Sequence, residues 1–167
     1  MSTRGFENKH CTMAYPAPIA CHFGVWEGEA LHMNLQGEII DRHSIRLDIG
    51  ARGSKYSQRN TYTWPDGRKQ VLDFPGHFDE TTGKLLLDSE RLAGECIVID
   101  EDTILFKAGY KGQMGGVSMF DLIRVSSDRK TRCRTWQMFK EGKPWKIVNV
   151  IEQQVSSEDA FIEMDYS

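Results

Sequence analysis

No stretch of this chain approaches the roughly 20 consecutive apolar residues that a membrane-spanning helix requires. Nor do residues Met1 to His10, with Arg4, Glu7, Asn8 and Lys9, hold the apolar segment of a secretory leader. A cytoplasmic chain that neither crosses nor coats a membrane is therefore expected. Cysteine is scarce. Cys11, Cys21, Cys96 and Cys133 have no CxxC spacing, which predicts free thiols in a reducing compartment and not a disulfide framework. Charge of neither sign dominates: 24 acidic and 21 basic residues leave a formal net charge of −3. The basic residues are scattered, whereas phosphate binding calls for a concentrated patch, so nucleic acid is not an expected partner.

The familiar cofactor and nucleophile signatures are missing too. His10, His22, His32, His43 and His77 show no HxH or HExxH spacing, so no metal is expected. Gly112, Gly115 and Gly116 lack the spacing of a phosphate-binding loop, and there is no GxSxG elbow. No cofactor is expected. Met114 sits in that glycine loop, as an exposed turn or as part of a rim over a cavity mouth.

What is present is strand after strand. Gly24-Val25-Trp26-Glu27-Gly28-Glu29-Ala30-Leu31-His32 leads through Gln36-Gly37 into the alternating run Ile39 to Ile49. Turn signals then recur at Gly50 to Ser54, Pro65-Asp66-Gly67, Thr81-Thr82-Gly83, Asp100 to Asp102, Gly112 to Gly116, Ser126 to Asp128 and Glu141-Gly142. Between them lie runs rich in β-branched and aromatic residues. Connections this short join antiparallel neighbours. The only helical turn expected is Pro18 to Phe23, as a plug at one end. The reading is an all-β, antiparallel up-and-down barrel of about nine or ten strands, residues 24–155, wide enough to enclose a cavity. Residues 1–23 form an N-terminal extension and plug; residues 156–167 are an acidic tail or a last short strand.

Alternation assigns the inward face. Taking Gln36-Gly37 as a two-residue loop pairs Asn34 with Ile39, His32 with Asp41, Ala30 with His43 and Trp26 with Leu47. Trp26, Gly28, Ala30 and His32 then face inward with Ile39, Asp41, His43, Ile45, Leu47 and Ile49. His32, Asp41 and His43 become candidate acid–base residues, and Asp41 beside His32 would raise the imidazole pKa by about 1 to 3. At the hairpin end the same residues could simply satisfy one another. In the next strand Tyr56, Gln58, Asn60, Tyr62 and Trp64 share a face, and aromatics interleaved with amides suit either a ligand cavity or a buried structural network. Arg132, Arg134, Trp136 and Met138 share a later face. An inward Arg134 needs a carboxylate, for which Asp121 is the candidate; otherwise it is an exposed cross-strand arginine. In the final strand Trp145, Ile147, Asn149, Ile151 and Gln153 alternate, which places Asn149 among the lining candidates. The candidate ligand-binding set is thus Trp26, Tyr56, Gln58, Asn60, Tyr62, Arg134, Trp136 and Asn149.

Taken together, Gly24-Val25-Trp26-Glu27-Gly28, the Gly37 turn, His43-Ser44-x-Arg46 and Gln58-x-Asn60-x-Tyr62-x-Trp64-x-Asp66-Gly67-Arg68 resemble a calycin-like family of single-domain bacterial proteins. Phe74-Pro75-Gly76, Leu87-Asp88, Arg91-Leu92-x-Gly94 and Thr131-Arg132-x-Arg134-Thr135-Trp136-Gln137 extend the resemblance over Gly24 to Glu152. The wider calycin group includes lipocalins, fatty-acid-binding proteins and some cofactor-free cyclases and isomerases. The resemblance implies a barrel that holds a small hydrophobic or aromatic molecule. No haem ligand carries over from nitrobindin-like relatives. Fold analogy does not itself fix function. The first expectation is a binding barrel for an apolar or aromatic metabolite. The alternative is a cofactor-independent isomerase, lyase or cyclase acting on a carbonyl-bearing or phenolic substrate. There, His32 or His43 would move the proton, Asp41 would orient the imidazole, and Tyr56, Gln58 or Asn60 would hold oxyanion charge. A homodimeric scaffold filled by its own side chains is the third.

Overall fold

The computed structural model describes residues 15–166. His10, Cys11 and the first fourteen residues of the expected plug lie outside that range. Ten antiparallel strands close into a barrel: β1 (Gly24–Met33), β2 (Ile39–Arg52), β3 (Lys55–Thr63), β4 (Lys69–Asp79), β5 (Lys84–Asp88), β6 (Leu92–Val98), β7 (Thr103–Tyr110), β8 (Val117–Val125), β9 (Thr131–Lys140) and β10 (Lys143–Ser156). Each strand pairs with its sequence neighbours, and β10 closes onto β1. Among the described residues no helix is long and apolar enough to cross a membrane.

A short helix, α1 (Ala17–Ala20), sits at the end where β1 begins. The Pro16 carbonyl accepts the Ile19 and Ala20 amides, both at 2.9 Å, and hydrogen-bonded turns carry the chain on to Phe23. Ile19 is buried against the core, and the Trp26 indole N–H donates to the His22 carbonyl at 2.9 Å. The expected helical turn is therefore present, one residue earlier than the sequence suggested. The three described cysteines, Cys21, Cys96 and Cys133, are free.

The first hairpin settles the register on which the site depends. His32 pairs with Asp41, Ala30 with His43 and Trp26 with Leu47, as alternation implies. The loop differs. Gly37, at φ 83°, donates to the Asn34 carbonyl, and the Asn34 amide donates to Glu38, which makes a three-residue loop closed by a left-handed glycine. Met33, not Asn34, then partners Ile39, and the register shift leaves Ile40 as the extra residue. That bulge restores the expected pairing from His32 downward. It also leaves Ile39 exposed at the rim, not facing inward with the rest of its set.

Strand β4 outruns β5. Gly76 and His77 pair with both neighbours, whereas Lys69–Pro75 pair only with β3 and Phe78 and Asp79 only with β5. Pro75 fits there because it lacks an N–H and its free side has no strand to serve. The final strand corrects an inward assignment. Val148, Val150 and Glu152 are buried, while Asn149 and Ile151 are exposed. The Ile147-Val148-Asn149-Val150-Ile151 run is apolar on both faces, so period two alone cannot choose between them. Pairing with β1, Ala30 to Val150 and His32 to Val148, does choose.

Residues 157–166 add no strand. They strap the outside of the β2–β3 hairpin: Asp159 accepts the Ala51 amide at 3.0 Å, the Ile162 amide donates to Ser57 Oγ at 2.8 Å, and the Tyr166 hydroxyl donates to the Tyr56 carbonyl at 3.1 Å. Ser57 is buried beneath the strap although it faces outward.

Candidate functional site

The barrel encloses a cavity of about 330 Å³, bounded by β3–β9 and by Ile19 and His22 at the α1 end. Most of its wall is apolar, including Leu72, Phe74, Leu85, Leu87, Ile104 and Phe106. Toward the opposite end Arg91 and Met114 complete the lining. The Arg91 guanidinium stacks 4.6 Å over the Phe74 ring and donates to the Asp73 carbonyl at 3.4 Å. Met114 thus belongs to the cavity lining as well as being exposed.

One wall is polar. Alternate residues of β3 point inward, and their side chains form a ladder: the Tyr56 hydroxyl donates to Gln58, Gln58 to Asn60, and Asn60 to the Tyr62 hydroxyl, each at 2.8 Å. The spacing of two residues puts each head group within reach of the next. Every amide in the ladder gains a partner, which burial requires. Burial raises the Tyr56 and Tyr62 phenols above their ordinary value, so both remain protonated.

A charged cluster occupies the adjoining wall. Arg134 donates to Asp121 Oδ2 through Nε at 3.1 Å and Nη2 at 2.6 Å, and to Glu152 Oε1 through Nη1 at 3.1 Å. Arg132 lies 3.5 Å from Glu152 Oε2. All four side chains are buried. Burial opposes the charge on Arg134, but Asp121 and Glu152 outweigh it and hold the guanidinium firmly protonated. Burial pushes the Asp121 carboxyl up despite Arg134 beside it. Burial likewise lowers Arg132, which has the poorer partner. Several polar atoms here have no hydrogen-bond partner among the described residues: both His22 ring nitrogens, Asp121 Oδ1, Arg132 Nε and Nη1, and Trp136 Nε1. Each belongs to a residue that lines the cavity.

His32, Asp41 and His43 come together as the register requires, but not in the cavity wall. His32 Nε2 and His43 Nε2 are 3.0 Å apart, and His43 Nδ1 lies 3.2 Å from the Ser44 carbonyl. Lys146 Nζ lies 3.1 Å from His32 Nδ1. A carbonyl only accepts and an ammonium only donates, so the direction follows: Lys146 donates to His32, His32 to His43, and His43 to Ser44. Asp41 turns elsewhere and accepts the Trp64 indole N–H at 3.2 Å. Burial raises its carboxyl, but that indole and the Arg42 amide prevail and hold it below its usual value. The expectation for His32 is overturned. Burial, then Lys146 and His43, lower its pKa to about 4, and Asp41 offsets only part of this. Asp41 lies at the rim, where its charge acts mostly through water.

These three residues are the one grouping among the described residues whose ligand atoms could converge on a metal, all lying within 4.8 Å of one another. A metal on His32 Nε2 would require a proton on Nδ1, the nitrogen that Lys146 faces. The arrangement favours the hydrogen-bonded chain.

A pH dependence follows. A histidine with a depressed folded-state pKa contributes stability that is complete above its unfolded value near 6.5 and is lost as pH falls toward its folded value. For His32 that window runs from pH 6.5 to about 4. His22, buried and facing Arg132 and Arg134, is lowered well below 6.5 and acts in the same sense. The urea midpoint is expected to fall across this window, and His32→Gln is expected to remove about 1–2 kcal/mol of that dependence. An unchanged pH slope in His32→Gln would contradict the assignment.

The other sequence candidates divide. Tyr56, Gln58, Asn60, Tyr62, Arg134 and Trp136 line the cavity. Trp26 does not: it is fully buried in the core, its indole tied to His22 and its ring 5.9 Å from the Arg132 guanidinium. Asn149 points outward, paired with Leu31 and Thr135. Arg134 is buried and paired with Asp121, as an inward arginine demands. Tyr62 packs edge-on against His43 at 4.9 Å, and Trp136 against His32 at 6.3 Å. Sequence reasoning missed His22, Glu152 and Lys146. Glu152 had a signal, since it lies cross-strand from Arg132 once β10 is in register.

No protein-family model matches the sequence, nor does any curated protein. Among solved structures, a protein of unknown function from the DUF3598 family of Nostoc punctiforme superposes with a TM-score of 0.65 at 16% identity, covering 82% of this chain and 49% of that one. This chain therefore spans about half the length of that protein. Two barrels bound to DFHBI, mFAP2b and the redesigned mFAP1, align with TM-scores of 0.48 and 0.43 at 13% and 15% identity; each alignment covers 84% of this chain, and 99% and 100% of theirs. With the Nostoc protein this chain shares a fold.

Proposed function

We propose that this chain is a cytoplasmic, calycin-like binding barrel for a small aromatic or conjugated molecule held inside its cavity. The observation that carries the reading is the set of buried polar atoms without protein partners on Asp121, Arg132 and Trp136 in the β8–β9 wall and on His22 at the α1 end of a mostly apolar cavity. A buried donor or acceptor left unmatched costs about 1–3 kcal/mol, so several on one wall suit an occupant that matches them. The cavity volume, about 330 Å³, falls at the small end of the ~300–1,000 Å³ range for ligand pockets. The acid–base alternative through His32 and His43 has less to rest on. Neither histidine is in the lining, and both rings are engaged by each other, Lys146 and Ser44. Cys96 lines the cavity, but burial pushes its thiol up to about 12, which leaves it protonated and unreactive.

Native mass spectrometry of the protein purified from its own host is expected to release a small organic molecule on denaturation. In parallel, the neutral dye N-phenylnaphthylamine is expected to brighten on binding the emptied barrel. Leu87→Trp, which fills the cavity from β5, should abolish this at least ~10-fold in affinity at a stability cost of about 1–3 kcal/mol. Equal dye binding by the filled variant, or no released molecule together with no dye binding, would defeat the proposal.

A further inference from the structure

The chemistry of the polar wall narrows the occupant. Two arginines, Arg132 and Arg134, face two carboxylates, Asp121 and Glu152, so the formal charges of the buried cluster cancel. Arg134 hydrogen-bonds both acids through Nε, Nη1 and Nη2. Arg132 Nη1 and Glu152 Oε2 face each other as an ion pair at 3.5 Å, and the unmet hydrogen-bonding capacity that remains is of both kinds: Arg132 Nε and Trp136 Nε1 can only donate, while Asp121 Oδ1 as a carboxylate can only accept. His22, neutral and buried, offers one of each. We infer that the ligand is a neutral, flat conjugated molecule carrying a carbonyl acceptor and an N–H or O–H donor, of which a bicyclic lactam is the minimal case.

The inference rests on the binding reading above and adds the charge and the head group. A carboxylate head would satisfy Arg132 but would bring an uncompensated negative charge into a cluster already holding Asp121 and Glu152. That desolvation penalty is several kcal/mol per ion and is repaid only by an unpaired cation, which this cluster does not offer; Arg91, the remaining guanidinium in the lining, stands at the opposite end, stacked on Phe74 and away from these unmatched atoms. A hydrocarbon of the same shape would fill the apolar wall and leave the donors and Asp121 unmatched. A lactam meets both demands: its carbonyl accepts from the Arg132 and Trp136 side, and its N–H donates to Asp121 or to the acceptor nitrogen of His22. The Tyr56–Gln58–Asn60–Tyr62 ladder, already satisfied internally, makes no comparable demand and serves as a flat wall.

Four probes of similar size are titrated into the wild-type barrel by calorimetry at pH 7.5: carbostyril (a bicyclic lactam), N-methylcarbostyril, naphthalene and naphthalene carboxylate. Carbostyril is expected to bind at least ~10-fold more tightly than each of the others, one matched buried hydrogen bond being worth about that much. Trp136→Phe, which removes one donor and keeps an aromatic ring, is expected to weaken carbostyril roughly 3- to 10-fold more than it weakens naphthalene. A carboxylate that binds as tightly as the lactam overturns the charge argument, and equal affinity for carbostyril and its N-methyl form overturns the donor requirement. Naphthalene bound with no advantage for carbostyril defeats this inference while the binding reading stands. Failure of all four, naphthalene included, defeats both.

Discussion

Arg134→Met is expected to lower the unfolding free energy by about 3–5 kcal/mol at pH 7.5, close to the whole stability of a weak domain. Among the described residues the buried guanidinium is the only group that hydrogen-bonds both Asp121 and Glu152, at 2.6 to 3.1 Å. Removing it leaves two carboxylates inside the barrel with Arg132 as their one ion-pair partner among the described residues, 3.5 Å from Glu152. Replacing one partner of a buried network differs in kind from replacing all of it. Arg134→Met combined with Asp121→Asn is therefore expected to recover most of the loss, since the remaining charges, Arg132 and Glu152, again cancel. The deficit of the single variant should also shrink relative to wild type as pH is lowered from 8 toward 5. Without Arg134 the buried carboxyls bind protons more readily folded than unfolded, and such groups lend stability at low pH that disappears as pH rises. Urea denaturation at several pH values reads all three. A single variant within 1 kcal/mol of wild type throughout, against the ~3–5 expected, would mean the cluster is solvated and not a desolvated network.

The same cluster marks where the amino-acid order stops being legible. The barrel can be read because hairpin turns and alternation are local: Gly37 and Gly67 close their turns at φ 83° and 87°, and β3 carries polar and aromatic residues at every second position. Pairing Trp26 with Leu47 and His32 with Asp41 followed from one loop, and an error in that loop's length was cancelled by the Ile40 bulge. The polar ladder followed from β3 alone. What could not be read depends on strands far apart in the chain. Glu152 enters the site only because β10 closes onto β1 and fixes its parity, and Asn149 leaves it for the same reason. The depressed pKa of His32 depends on Lys146, which lies 114 residues away in sequence. Pairwise inference along a hairpin sees Asp41 and predicts the opposite sign. Burial, the largest contribution, is a property of the closed barrel and not of any one strand.

Closure itself leans on a residue with no side chain. Gly28→Ala is expected to destabilise the protein by about 3 kcal/mol, although Gly-to-Ala changes at tolerant backbone positions usually stabilise by roughly 0.4–1 kcal/mol. A Cβ at Gly28 would run into the Ile151 carbonyl oxygen and lie 2.8 Å from the Ile151 carbonyl carbon and 2.9 Å from Glu152 Cα. These are main-chain atoms of β10, and no rotamer change moves them. Relief requires β1 and β10 to separate where Gly28 pairs with Glu152, which would also pull Glu152 away from both arginines. Gly109 is the internal control. It lies in β7, faces solvent, has no left-handed φ and would present its Cβ to open space. Gly109→Ala is expected to leave the urea midpoint unchanged or raise it. The two substitutions add the same methyl group to two strands of one barrel, so opposite signs would locate the strain at the β1–β10 seam. Hydrogen exchange should then quicken first along that seam in Gly28→Ala. If Gly28→Ala matched Gly109→Ala, the close approach of β10 would carry no constraint, and the placement of Glu152 beside the cavity would have to be held by the arginines alone.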